Sequence, residues 1–340
     1  MNDVIIWPDM KTAERLPYLD YARVFVAYLV ILGHLLPTTD TNIRIYIYSF
    51  HMPFFFLVSG MLHKDRGCIA WRKYWKTLIV PFLAFNLLFI ILWPLCWKIG
   101  IWGTLYKLEG GEGIFSIYMY YFKQFFINLF NDQALPDIPT WFLLTLFWCK
   151  ILTDCICCHR WTIVVLLCIM AGTLFIVFHY RTCLRIGNAL MVMPFFYGGF
   201  LYKKVINEWR NVRYGWLWGI ILVALNIPLT LLNGRVSTAV IWFGQMTIPL
   251  NIIIFYLNAF MSSVGLLFVC MQFPASKTLT VCAKALITIL CFQCFFCCVF
   301  CHLCDLSNYL KMSLIAVLIL LACVLIHKTL ERYLPFAVGK

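Results

Sequence analysis

Apolar residues fill this chain in blocks of about twenty, each long enough to cross a bilayer as a helix, with short polar segments between them. The blocks run from Tyr18 to Leu36, about Ile43 to Leu62, Thr77 to Trp97 and about Thr140 to Cys157, then near 161–178, 186–202, 215–232, 246–270, 280–302 and 312–327. Polar residues do not alternate with apolar ones inside them, which excludes a transmembrane barrel. Residues 98–138 are more mixed. The segment IFSIYMYYFKQFFINLF within them is aromatic and amphipathic, and predicts a helix lying in or near the outer interface. The pattern predicts an all-α polytopic integral membrane protein of about ten transmembrane helices, forming one transmembrane domain over residues 1–340.

Composition agrees with that pattern. The chain is 63% hydrophobic and 12% charged, with a mean hydropathy of +0.88, whereas soluble domains sit nearer half apolar and a quarter charged. The net charge of +13 is dispersed between the apolar runs and builds no basic domain. It is read as membrane topology and contact with membrane lipid, not as a nucleic-acid surface. With the N-terminus cytoplasmic, basic residues outnumber those on the opposite side about two to one, which predicts that both termini are cytoplasmic. The first run is too long for a signal-peptide core and lacks a cleavage pattern behind it, so it is expected to stay as a helix of the cell membrane.

The seventeen cysteines fall mostly inside apolar runs, as Cys291, Cys294, Cys297, Cys298 and Cys301 do. There they read as small hydrophobes. Cys294 and Cys297 form a CxxC, but no second pair stands at a zinc-ribbon spacing, so no metal site is expected.

The first block, YLDYARVFVAYLVILGHLL, carries Asp20, Arg23 and His34. Helical periodicity places all three on one face, and ionisable groups in a membrane helix mark a wet or protein-lined interior. A neutral imidazole at His34 suits a general base. Asp20 stands about 21 Å from His34 along the helix and cannot orient it, so that partner must come from another helix. Asp20 and Arg23 can pair at i, i+3, either as a plain salt bridge or to aim Arg23 at a phosphate-bearing cofactor entering from the cytoplasm. His51 lies across a short turn from His34, where the two histidines could meet in one cavity. Pro53, Ser59 and Gly60 mark a helix that bends and packs closely. The cationic cluster Arg72, Lys73 and Lys76 is either topogenic or a contact for the same phosphates.

Together these residues resemble the membrane-bound acyltransferase-3 superfamily, in its fucose 4-O-acetylase-like branch. LDYARVFVAYLVILGHL is similar to that family's opening motif, in which ten residues separate an arginine from a histidine, as with Arg23 and His34. FHMPFFFLVSG (50–60), IPTWFLLTLFWCKIL (138–152, with Trp141 and Phe142) and MPFFYGGFLYKK (193–204) resemble its second-, fourth- and sixth-helix motifs. Two positions depart from the pattern. RKYWKTLIVP stands where the family often has RxxR, and Gln293 stands where many members have a late histidine.

The resemblance implies an O-acyltransferase that moves an acyl group, usually acetyl, from cytoplasmic acetyl-CoA to a hydroxyl of a cell-surface or lipid-linked carbohydrate. In that picture His34 is the general base or an acyl relay, with Arg23 and Asp20 completing the catalytic set. Arg23, Arg72, Lys73 and Lys76 would hold the acyl donor, while His51 and Trp141 would face the acceptor. The alternatives are a transporter for a lipid-linked glycan or anionic solute, with the same stripe lining its path, and a purely structural envelope subunit.

Overall fold

The computed structural model describes residues 16–36, 42–64, 67–98, 114–133, 135–156, 182–234, 249–304, 306 and 308–340. Helix α1 (Pro17–Leu35) begins at a proline whose fixed φ suits a first turn, and α2 (Asn42–Met61) returns against it. Next, α3 (Trp71–Tyr74) continues through one π-helical turn, Trp75–Ile79, into α4 (Val80–Lys98). Helix α5 (Ile114–Phe130) follows, and a 3-10 turn at Ile138–Thr140 leads into α6 (Trp141–Ile156). The later helices are α7 (Ile186–Glu208), α8 (Gly215–Asn233), α9 (Pro249–Cys270), α10 (Lys277–Lys284), α11 (Leu286–Leu303) and α12 (Tyr309–Tyr333).

Among the described residues, eight helical segments are long and apolar enough to cross a membrane, and the protein is an all-helical polytopic membrane protein. The span expected near 161–178 lies outside the described residues. Helix α2 has the length of a span but is not one of the eight, because Asn42, Arg44, Ser49 and His51 lower its hydropathy. Its side chains face protein instead: 13 of its 20 residues are buried. A helix enclosed by other helices can keep polar groups at membrane depth.

Two expected boundaries are corrected. The third span starts at Trp71, not Thr77, because Tyr74 and Leu78 already face the core at i, i+4 while the basic residues beside them stay exposed. Its π turn ends two residues before Pro81, which lacks the N–H of an ordinary helical residue. The span expected at 280–302 is broken at Ala285, between the polar α10 and the apolar α11. Helix α10 is capped by Ser276, whose hydroxyl accepts from Leu279 N.

Close helix crossings depend on small residues. A Cβ at Gly60 would stand 1.8 Å from the Phe196 carbonyl oxygen, and one at Gly199 would stand 2.1 Å from the Leu57 oxygen. Helices α2 and α7 therefore touch backbone to backbone, and Gly219 and Gly265 do the same for α8 and α9. Beyond α2, His63 Nε2 donates to Asp154 Oδ1 at 2.9 Å, and Tyr74 Oη donates to the other carboxylate oxygen at 2.7 Å. This buried cluster ties the loop after α2 to α3 and α6.

Helix α5 packs Ile117, Tyr121 and Phe125 inward, with Phe125 against Phe82 of α4, and leaves Phe115, Phe122 and Phe126 exposed. Between α5 and α6, Pro136, Asp137, Pro139 and Thr140 are buried but not α-helical. Trp93 Nε1 donates to the Pro136 carbonyl at 2.7 Å, and Asn86 serves both the Asp137 N–H at 3.3 Å and the Thr140 hydroxyl at 2.9 Å. Irregular backbone survives in a membrane protein where partners of this kind satisfy it.

Candidate active site

Helix α1 carries the polar stripe, and its two ends have different partners. At the first turn Asp20 is buried. It pairs with the Arg23 guanidinium and accepts from Thr280 Oγ1 of α10 at 3.2 Å. Arg23 Nε also donates to the Leu19 carbonyl at 3.2 Å. The Asp20–Arg23 pair therefore fixes the arginine's direction and fastens α1 to α10. Tyr18 and Tyr21 add bonds to Asn207 and to the Pro274 carbonyl. Thr77 of the π turn meets Gly339, which brings the turn before α4 against residues 335–339.

From Arg23 a cavity of about 230 Å³ runs along α1. Arg23, Ala27 and Val30 supply one wall, Met52, Phe55 and Ser59 of α2 a second, and Phe142 and Leu143 of α6 a third. Leu78 and the α11 face from Leu286 to Gln293 complete it. The lining is almost wholly apolar apart from Arg23, Ser59 and Gln293. The α1 positions follow i, i+4 and i+7, and His34 is the next residue on that face, at i+11. Arg23 and His34 are thus about 16 Å apart along the helix.

The partners that α1 could not supply to His34 come from α2 and α11. Nδ1 lies 3.2 Å from the Tyr48 hydroxyl, and Nε2 lies 3.8 Å from Cys294 Sγ. Gly33 makes the first contact possible, since a Cβ there would stand 2.8 Å from the edge of the Tyr48 ring. Arg44 caps the group with its guanidinium carbon 5.1 Å from the centre of that ring. His51 also packs on Tyr48, with ring centroids 4.9 Å apart. Its Nδ1–H donates to the Ile47 carbonyl at 2.9 Å, because a carbonyl can only accept. Both histidines therefore contact one tyrosine. In the His34 tautomer whose Nδ1–H donates to the Tyr48 oxygen, Nε2 presents its lone pair to Cys294.

The other expected residues are distributed around this axis. Arg72, Lys73 and Lys76 are exposed on the turns just before Leu78, which itself lines the cavity. Trp141 is buried against Phe56 at a centroid distance of 6.4 Å, and the cavity wall is made by its neighbours Phe142 and Leu143. Gln293 is buried in the cavity wall one residue before Cys294. Ser59 lines the cavity, whereas Gly60 packs on α7.

Sequence reasoning did not single out Tyr48, Arg44 or Asp137, and it took Cys294 only as packing. Arg44, Tyr48 and His51 follow i, i+4 and i+7 on α2, a pattern visible in the sequence. Asp137 is buried beside Cys291, and among the described residues its Oδ2 has no hydrogen-bond partner. Nothing in its local sequence marks it.

Two comparisons with known proteins, against curated proteins and against solved structures, give no match. A family model described as an acyltransferase domain, that of the acyltransferase-3 family, matches residues 16–328, nearly the whole chain and all of the site described above.

Proposed function

The chain belongs to the acyltransferase-3 family, and we propose that it is a membrane O-acyltransferase moving an acetyl group from cytoplasmic acetyl-CoA to a hydroxyl of a cell-surface or lipid-linked carbohydrate. The observation that supports this most is the face of α1 on which Arg23, Ala27 and Val30 line the cavity and His34, held by Tyr48, follows one turn beyond Val30. We place the protein in the fucose 4-O-acetylase-like branch on its helix motifs and in the cell membrane on its charge distribution. An acyltransferase domain over the described site favours transfer chemistry over the transport reading.

In the proposed reaction Arg23, held by Asp20, attracts the donor's phosphates. Arg72, Lys73 and Lys76 add positive charge at the same end. The apolar cavity takes the acyl-bearing arm of the donor, and its lining excludes water that would otherwise hydrolyse the thioester. His34 receives the proton of the acceptor hydroxyl as its oxygen bonds to the acyl carbonyl carbon. The C–S bond then breaks, and the departing CoA thiolate takes the proton. Tyr48 holds the imidazole at Nδ1, and His51 packs against the Tyr48 ring.

Chemical analysis of surface glycan tests the reading. Cells lacking the protein should lose an O-acetyl ester, and the wild-type chain but not His34→Ala should restore it. Full restoration by His34→Ala would refute it.

A further inference from the structure

Helix α11 presents a file of cysteines toward α1 and the α5–α6 connection, and their partners differ. Cys291 lies against the Asp137 carboxyl. Cys297 Sγ donates to the Ile31 carbonyl at 3.8 Å. Between them Cys294 meets the Nε2 of His34, also at 3.8 Å. A carbonyl cannot take a thiol proton, whereas imidazole titrates near neutral pH and can. A thiol beside a histidine that is oriented through its other nitrogen has the arrangement of an activated nucleophile. Here Tyr48 supplies that orientation.

Two further observations bear on access. Cys294 and His34 are both half-buried, while Cys291 and Cys297 are buried. The cavity that begins at Arg23 is bounded by Gln293, next to Cys294, and by Val30, one turn before His34. A CoA arm entering it from phosphates at Arg23 would run toward the turn of α11 that carries Gln293 and Cys294.

We propose that Cys294 is the acyl carrier of this site, accepting the acetyl group from the donor thioester and passing it to the acceptor hydroxyl. The inference rests on the acyltransferase reading above and replaces its direct attack on acetyl-CoA with two half-reactions through Cys294. In the first half His34 takes the Sγ proton and the sulfur bonds to the acetyl carbonyl carbon. The C–S bond of acetyl-CoA breaks, and CoA leaves as the thiol with the proton from His34. In the second half the acceptor hydroxyl gives its proton to His34 and its oxygen bonds to the same carbon. The Cys294 thiolate leaves and recovers the proton. No oxidant, reductant or further reactant is consumed. The two halves also need not coincide, so donor and acceptor can occupy the site in turn, as in ping-pong kinetics.

The test uses membranes containing the full chain, incubated with radiolabelled acetyl-CoA. Without acceptor, wild type should hold one acetyl group per chain on the peptide containing Cys294, released by neutral hydroxylamine as thioesters are. Adding acceptor glycan should chase that label onto the sugar. Cys294→Ala should lose the label and slow transfer about a hundredfold or more. Cys294→Ser should hold the label as an ester that resists hydroxylamine. Cys297→Ala, one turn away in the same helix, should keep both label and rate, which separates chemistry from damage to packing. Transfer that continues at the wild-type rate in Cys294→Ala, or a label found on His34, would overturn the inference and leave the acyltransferase reading standing. Wild-type membranes that move acetyl to neither protein nor glycan would overturn both.

Discussion

The contact between Gly33 and Tyr48 allows the role of the His34 orientation to be measured. In Gly33→Ala the new methyl would stand 2.8 Å from Tyr48 Cε1, whereas ordinary contacts begin at 3.4 Å, so the ring must retreat by about 0.6 Å. The Tyr48 hydroxyl is 3.2 Å from His34 Nδ1, already at the long end of a hydrogen bond. The same displacement takes it to about 3.8 Å, past bonding range. A neutral hydrogen bond contributes about 0.5–1.5 kcal/mol, so the rate of acetyl transfer should fall roughly two- to tenfold. Removing the base itself in His34→Ala should cost about 10²–10⁴.

The assay is initial transfer from radiolabelled acetyl-CoA in membranes matched for protein content, on Gly33→Ala, Tyr48→Phe and the double variant. Both single variants break one bond, so the double variant should be no slower than Tyr48→Phe alone. A Gly33→Ala protein with wild-type activity, or losses that multiply in the double variant, would refute the coupling of Gly33 to His34 through Tyr48.

Other outcomes follow from the same geometry. Gly60→Ala or Gly199→Ala forces a methyl onto a backbone oxygen of the facing helix, and should lower stability by at least about 1–3 kcal/mol, seen as a lower melting temperature in detergent. Ser59→Phe fills the cavity beside Arg23, and should raise the KM for acetyl-CoA about tenfold, equivalent to ~1.4 kcal/mol of lost apolar contact, without lowering the melting temperature. Burial holds the His63 imidazole below its ordinary pKa, Lys150 adding to the effect. The unfolded chain then binds the extra proton first, so stability should fall as pH drops below about 6.5. Melting temperatures from pH 8 to 5 should show this decline, and it should be shallower in His63→Gln.

The polarity of α1 was legible because a charged residue in an apolar block stands out whatever surrounds it. Arg23 and His34 could be placed on one face from spacing alone, and the structure puts Arg23 in the cavity wall and His34 one turn beyond Val30, the last α1 residue of that wall. The tertiary partners were not legible. Tyr48 stands 14 positions from His34 and Cys294 stands 260 away, and in an aromatic, cysteine-rich chain neither residue type draws notice. The break at Ala285 was hidden because Val281 to Ala283 are apolar enough to extend the α11 block. The early start of α3 was hidden because its basic residues read as a loop, although Tyr74 and Leu78 already kept helical spacing. Asn86 and Thr140, which support residues 136–140, read as isolated polar residues until the connection brings them together.

The most direct test of the account uses sealed vesicles of each orientation, given radiolabelled acetyl-CoA on the outside only. Label should reach glycan when the donor meets the face carrying Asp20 and Arg23, not when it meets the face nearer His34, and not at all in His34→Ala. Equal labelling from both faces, or labelling that survives the loss of His34, would contradict a transfer path along α1.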